Sequence, residues 1–377
     1  MDEPSTSHAS NLSQQSLNIT PMSSDFQPTI LERYIAIDNA CAWPNLTLMP
    51  NGDITALIWP EPTHGKSEGA VECWGSKDEG RSWALRGVPV PNEPGTNRMN
   101  HSAGLARDGA LVAIVSGWDK RSPRGSDGEW VKIANTPPPV PARSLDGGQT
   151  WTAGLSPLPS VSELAHYANG QLDKSGRAHP VMIPFGDIWP LSDGTLGSII
   201  YGHRAEFYVS DDEGITWTFR GTLGTVGETN ETTWLPLPDG RLLAAARTYD
   251  DAHLQQYISD DLGKTWTYDQ DLTGQQCHPA GLTTLADGAI LLTYGIRADP
   301  LRAIGAKISR DQGKTWSDQQ VLVDLEESTN HYEPEWRDCG YPSNVQLADG
   351  TIVTAYYCKG VAAHRRYHVG VIRWRLA

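Results

Sequence analysis

A phenol, a carboxylate and several guanidinium groups stand at matching distances from glycine turns in this chain. Asn51-Gly52, Asp108-Gly109, Asp193-Gly194, Asp239-Gly240, Asp287-Gly288 and Asp349-Gly350 each separate two apolar, alternating runs, the pattern of strand–turn–strand hairpins. A strand rises ~3.3 Å per residue, so a side chain eight residues from such a turn stands ~25 Å away, at the far end of the hairpin. Counting back eight gives Trp43, Asn100, Phe185, Glu231, Pro279 and Tyr341. Counting forward eight to ten gives Trp59, Glu61, Trp118, Arg247 and Arg297. One end of the molecule is thus expected to gather them. A carboxylate there can take the proton of a phenol whose ordinary pKa is near ~10. Arginine forks can hold a carboxylate bidentately, and indoles such as Trp43 and Trp118 can stack on sugars.

The elements that must position these groups repeat. SKDEGRSW (76–83), SLDGGQTW (144–151), SDDEGITW (210–217), SDDLGKTW (259–266) and SRDQGKTW (309–316) share the form S-x-D-x-G-x-[ST]-W. Asp and Gly at these offsets make a tight turn in which the carboxylate binds local amides, and the Trp anchors that turn on its own sheet. Each of the first five hairpin turns is followed by one such box, and the sixth by the C-terminal strands. No helical period intervenes. Six hairpin signals therefore predict an all-β fold, a six-bladed β-propeller of four-stranded antiparallel sheets over residues 29–377. A strand from residues 29–40 is expected to complete the last blade. Residues 1–28, rich in Ser, Thr, Asn and Gln, read as a disordered tail.

Five such boxes on six blades resemble the sialidase (neuraminidase) superfamily, whose repeats are called Asp-boxes or BNR repeats. The resemblance covers about residues 30–377. NETTWLPLPDGRLLAAAR (230–247) resembles the segment in which a Glu opens one strand and an Arg closes the next; GYPSNVQLADGTIVTAYY (340–357) resembles the segment carrying that family's tyrosine nucleophile. LRAIGAKISRDQGKTW (301–316) resembles the segment whose arginine, just before a box, holds the substrate carboxylate. The resemblance implies Tyr341 as nucleophile, Glu231 as its base, and Arg247 and Arg302 as carboxylate ligands, with Arg297 competing for the last role. It also implies a glycoside hydrolase that removes a terminal anionic sugar, sialic acid or a relative, from a glycan. In a carbon centre that already bears a carboxylate, a neutral phenol meets less repulsion than a carboxylate nucleophile would.

Two family positions differ. The first blade of the family opens with Arg-Ile-Pro, where this chain has Ala42-Trp43-Pro44. The family's acid/base Asp lies in the loop after the first hairpin, yet no Asp stands between Asp53 and Asp78. The loop 59–69 offers His64 and Glu61 instead, and imidazole titrates in the required range. Arg204, Arg98 and Arg121 are candidates to replace the missing charge, with Arg204 favoured, and His101 is expected to face the same mouth. Two other readings stay open. One is a propeller lyase or rhamnosidase-like hydrolase working through histidine; the other is a carbohydrate-binding propeller without catalysis.

Composition narrows the partners. Asp and Glu number 45 against 30 Lys and Arg, a net charge of −15, which argues against nucleic acid or an anionic membrane surface. No apolar stretch approaches the ~18–20 residues of a membrane span, and MDEPSTSHASNLSQQS lacks a signal-peptide pattern. The default expectation is cytoplasmic, with secretion compatible with the chemistry. Five cysteines are an odd number and too few to staple a chain of 377 residues. Cys41, Cys277 and Cys339 each stand ten residues before a turn, where a zinc site is conceivable with His278, but small buried hydrophobes are the plainer reading. No metal or cofactor is expected. Gly65-Lys66-Ser67-Glu68-Gly69 matches a nucleophile elbow in letters, but no helix follows it. The sequon at Asn230 falls inside the proposed pocket and is read as unused.

Overall fold

The computed structural model describes residues 26–65, 67–118, 138–154, 158, 182–202, 204–225, 228–298, 301–325, 338–361 and 364–376. Among these the regular elements are all strands. They form four four-stranded antiparallel sheets, one eight-stranded sheet in which two antiparallel sets of four join through a parallel pairing of Asp187-Ile188 with Ala103-Gly104, and a short parallel pair, Gly69–Ala70 with Asn97–Arg98. Each set of four is one unit. Unit I comprises Ala42–Leu48, Ile54–Trp59, Glu72–Ser76 and Ala84–Gly87; unit II, Asn100–Leu105, Leu111–Ser116, Val140–Ser144 and Thr152–Ala153. Unit III is Ile183–Pro190, Leu196–Tyr201, Ala205–Ser210 and Thr218–Leu223; unit IV, Thr229–Pro236, Leu242–Thr248, Leu254–Ser259 and Thr267–Asp271. Unit V is Cys277–Thr284, Ile290–Ile296, Ala303–Ser309 and Gln320–Asp324; unit VI, Cys339–Gln346, Ile352–Val361, His364–Leu376 and the N-terminal strand Pro28–Asp38. The first and last described segments of the chain thus pair within one sheet.

Each seam between units is apolar. Six buried clusters lie between I and II, II and III, III and IV, IV and V, V and VI, and VI and I. A sheet buried on both faces needs apolar residues on both, which is why Leu242-Leu243-Ala244-Ala245-Ala246 runs without alternation. The first strand of each unit packs against the first strand of the next, and that of unit VI against that of unit I. Polar side chains join these inner strands. Asn45 Nδ2 donates to Gly186 O at 3.0 Å and to Asp187 Oδ1 at 3.1 Å, Ser343 Oγ accepts from Leu46 N at 2.9 Å, and Thr233 Oγ1 donates to Asp187 Oδ2 at 3.1 Å.

The two turn types share one end. In the boxes, Ser76 Oγ donates to Asp78 Oδ1 at 2.8 Å and accepts from Gly80 N at 2.8 Å, while Asp78 Oδ1 accepts from Ser82 N at 2.8 Å. Trp83 Nε1 closes the turn on Gly80 O at 2.8 Å. The four other boxes repeat the Ser and Asp bonds, and three of them the Trp bond, while Trp316 Nε1 donates to Gln256 Oε1 at 2.9 Å instead. Among the described residues no helix is long and apolar enough to cross a membrane.

Candidate active site

At the opposite end the inner strands are irregular. In units I, III, IV, V and VI the ladder slips just after the first strand begins, as between Ala42 and Asn45 or Gly340 and Ser343. Such bulges re-aim side chains. Trp43 and Tyr341 occupy the same place in the two related words Cys41-Ala42-Trp43-Pro44 and Cys339-Gly340-Tyr341-Pro342, and both adopt positive φ, 45° and 50°. Bulky aromatics in the left-handed region cost on the order of 1–2 kcal/mol each, a strain that clusters at functional sites. Gly340 allows the approach that follows: a Cβ there would stand 3.2 Å from Gly295 Cα, which lets units V and VI close up beside Tyr341.

The bulges bring Tyr341, Glu231, Arg247 and Arg297 together. The Tyr341 hydroxyl donates to Glu231 Oε1. Arg247 Nη1 donates to Glu231 Oε2 at 2.5 Å, and its Nε to Asp251 Oδ1 at 2.8 Å. Arg297 lies with its guanidinium carbon 5.7 Å from the centre of the Tyr341 ring, and its Nε donates to Cys339 O at 2.8 Å. Burial pushes the Tyr341 phenol well above its ordinary pKa and the Glu231 charge adds to this, while Arg247 and Arg297 oppose them. Burial works against the Arg247 charge, but Glu231, Tyr341 and Asp251 outweigh it and hold the guanidinium charged. The pair is a phenol donating to a carboxylate, an arrangement through which a proton can pass from one to the other.

His64 belongs to a second group beside the first. Its Nδ1 lies 2.9 Å from Asp338 Oδ2, and its ring meets Trp43 edge-on at 4.9 Å. Trp43 in turn meets Tyr341 at 5.9 Å and Tyr357 at 6.1 Å. Asp338 also accepts from the hydroxyls of Tyr357 and, at 2.6 Å, Tyr367. Burial raises the Asp338 carboxyl, but His64, Arg297 and Tyr357 together carry it well below the usual carboxylate range. A fixed carboxylate on Nδ1 sets the imidazole tautomer and leaves Nε2 to work.

Other expected residues lie elsewhere. His101 departs from the expectation. Unit II alone has no slip at its start, with Asn100 opposite Ser116 and His101 opposite Val115, so the regular alternation turns His101 inward. It is buried, and that burial lowers it to about 4 although backbone carbonyls of Met99, Leu57 and Trp43 oppose the shift; its described contacts support the Trp43 backbone. Arg302 is half-buried, and its charge acts on the Cys339 and Cys358 thiols; the described contacts give the place over Tyr341 to Arg297. Arg204 Nε donates to the buried Glu206 at 3.3 Å. Glu61 is half-buried against Gly69 and Trp59. Trp118 packs on the same apolar cluster as Tyr341. Arg98 is buried, with Nε and Nη1 meeting no acceptor among the described residues. Arg121 and most of the expected N-terminal tail lie outside the described residues.

Sequence comparison places this geometry. Residues 65–354 match the BNR repeat-like domain. The chain belongs to that family. A search of curated proteins by sequence gave no match. Among solved structures, a protein of unknown function from Dyadobacter fermentans is similar over 93% of this chain and 99% of its own, at 22% identity and a TM-score of 0.71. The Hadza microbial sialidase Hz136 is similar over 89% of this chain and 65% of its own, at 18% identity and TM-score 0.64. Trypanosoma rangeli sialidase with 2,3-difluorosialic acid, a covalent intermediate, is similar over 92% of this chain and 55% of its own, at 18% identity and TM-score 0.60. The chain thus spans about two thirds and about half of these two sialidases, and at such identities the likeness is one of fold.

Within the BNR frame, several residues at the bulged end escaped the turn count. Tyr201 and Tyr357 each stand eight residues past a turn, in the register of Trp59 and Arg247. Burial, then Glu231 and Tyr341, raise Tyr201 well above its ordinary value. His278 is buried between Arg247 and Arg297; burial, then the two arginines, lower it to about 2, and its Nε2 stands 3.5 Å from Asp251. Asp338 precedes Cys339-Gly340-Tyr341 directly, but nothing in its spacing announces a partner 274 residues away.

Proposed function

We propose that this BNR protein is a closed six-bladed β-propeller acting as a glycoside hydrolase on a terminal acidic sugar, sialic acid or a relative, with Tyr341 as nucleophile. The observation that carries the reading is the Tyr341–Glu231–Arg247 chain of hydrogen bonds at the bulged end of the inner strands. In the first half-reaction the Tyr341 oxygen bonds to the anomeric carbon and its proton passes to Glu231. The glycosidic bond breaks, and protonated His64, oriented by Asp338, gives its Nε2 proton to the leaving oxygen. In the second half, neutral His64 takes a proton from water, whose oxygen displaces Tyr341, and the phenolate recovers its proton from Glu231. Retention of configuration follows from two displacements.

Arg297, over the tyrosine, and Arg247 supply positive charge for the sugar acid. Two carboxylates, Glu231 and Asp251, already engage Arg247, and Ala42, next to Trp43, stands at the arginine of the family's Arg-Ile-Pro. Among the described residues the buried Trp43 Nε1 and Arg297 Nη2 meet no acceptor, and both are suited to donate to a ligand. The site therefore holds an acidic group with less net positive charge than an arginine triad would.

The test is turnover of a fluorogenic sialoside beside a matched uronide by wild type and Tyr341→Phe. Cleavage of either by wild type, lost by a factor on the order of 10³ in the variant, is expected. Failure of both substrates, an unsaturated product seen by ultraviolet absorbance, or unchanged turnover in Tyr341→Phe contradicts the reading.

A further inference from the structure

Cys41 Sγ, a ring nitrogen of His64 and an Asp338 carboxylate oxygen all lie within 4.8 Å of one another. We propose that these three side chains form a site for a thiophilic divalent cation such as Zn2+, and that its occupation stops the proton transfers of His64. The second half rests on the function proposed above; the first does not.

The donor set is a thiol, an imidazole and a carboxylate, the set zinc takes in tetrahedral sites, and three protein ligands leave a fourth position for water. The ligands come from three separate segments held by the fold. Cys41 immediately precedes the first strand of unit I, Asp338 immediately precedes that of unit VI, and His64 lies in the loop after the second strand of unit I. Tyr357 on Oδ1 and Tyr367 on Oδ2 orient the carboxylate, the kind of outer contact that fixes metal ligands. Cys41 is fully buried, whereas the His64 side chain is 38% exposed and gives an ion its way in.

Binding is an exchange without redox change. The cation displaces the Cys41 S–H proton, which leaves to solvent, and takes the Nδ1 lone pair of His64, so that the ring proton resides on Nε2. A ring bound through Nδ1 and protonated on Nε2 has no lone pair to accept a proton and no acidic form to donate one. Neither half-reaction can then use His64.

Cobalt(II) titration of the chelator-treated full-length protein tests the site, read by thiolate-to-cobalt charge-transfer absorption in the near ultraviolet and by its displacement with Zn2+. One equivalent is expected, with the band lost in Cys41→Ser and affinity at least ~10-fold weaker in Asp338→Asn and His64→Ala. His64 is a loop residue at the surface, so His64→Ala keeps the test decisive if Cys41→Ser fails to fold. No charge-transfer band in wild type, a band of equal strength in Cys41→Ser, or undiminished affinity in His64→Ala would overturn the site. For the switch, Zn2+ should lower turnover of the acidic glycoside at least ~10-fold, restored by chelator; an enzyme that binds the metal through Cys41 and works unchanged overturns it. A protein that binds cobalt through Cys41 but cleaves no acidic glycoside overturns the proposed function and leaves the metal site standing.

Discussion

At the end of the units that carries the Asp-boxes, five turns make the same hydrogen bonds from the same three residue types. At the other end, six strand starts present Trp43, Asn100, Asp187, Glu231, His278 and Tyr341, with no residue type shared by all. The boxes satisfy the backbone locally, within four residues, and each can form as soon as its own sheet does. The opposite end is built from long-range contacts, 110 residues between Tyr341 and Glu231 and 274 between His64 and Asp338. It also spends backbone strain at Trp43 and Tyr341, where the box end keeps its positive φ to the turns. Repetition marks what the fold needs, and divergence from the repeat marks the end where the proposed site stands.

The largest expected effect breaks the divergent end alone. Tyr341→Phe should lower kcat/KM by a factor on the order of 10³ while leaving the melting temperature within a few degrees. Removing a hydroxyl that an unperturbed fold does not need is what separates the two ends. Next comes Asp338→Asn, expected to lower kcat by roughly 10–100-fold with little change in KM. A purely structural Asp338 would lower the melting temperature and leave kcat unchanged.

A third variant breaks the other end. Asp212 accepts from Ser210 Oγ, Thr216 N and Thr216 Oγ1, so Asp212→Ala should lower the melting temperature by about 2 °C and leave kcat unchanged. Burial raises the Asp212 carboxyl, but these bonds lower it on balance. A carboxyl depressed in the folded state stabilises above its unfolded pKa and loses that contribution as pH falls, so the gap between wild type and Asp212→Ala should close in acid, measured by thermal melts.

The smallest effect lies between the two ends, where Asp187 joins the inner strands. Burial carries its carboxyl up to about 7 despite the bonds from Thr233 and Asn45. A carboxyl raised in the folded state contributes stability below its unfolded pKa and loses it as pH rises towards 7. Asp187→Asn should therefore match wild type near pH 4 and melt on the order of 1–2 °C higher at pH 8. An equal difference at both pH values would show that Asp187 is not titrating there.

The fold was legible because its signals are local. A box or an Asp-Gly turn declares itself within eight residues, and the spacing between turns leaves room for four strands. Of the candidate site, turn register and the family resemblance pointed to Tyr341, Glu231, Arg247 and Arg297, which the structure brings into contact. His101 starts the one unit whose described ladder has no slip there, and its ring is buried against the Trp43 backbone. Register passed over Asp338 and His278, whose roles come from neighbours on other units. Of the two arginines that competed for one role, Arg297 lies over the Tyr341 ring, while the charge of Arg302 reaches the Cys339 and Cys358 thiols.

The claim that matters most is that Tyr341 bonds covalently to the sugar. Incubation with a 2,3-difluoro analogue of the acidic sugar that the enzyme turns over, followed by mass spectrometry of the intact and digested protein, reads it directly. The account predicts one sugar per chain, on the peptide containing Tyr341, and none on Tyr341→Phe. Turnover of the parent glycoside with no adduct, or with the adduct on another residue, would contradict it.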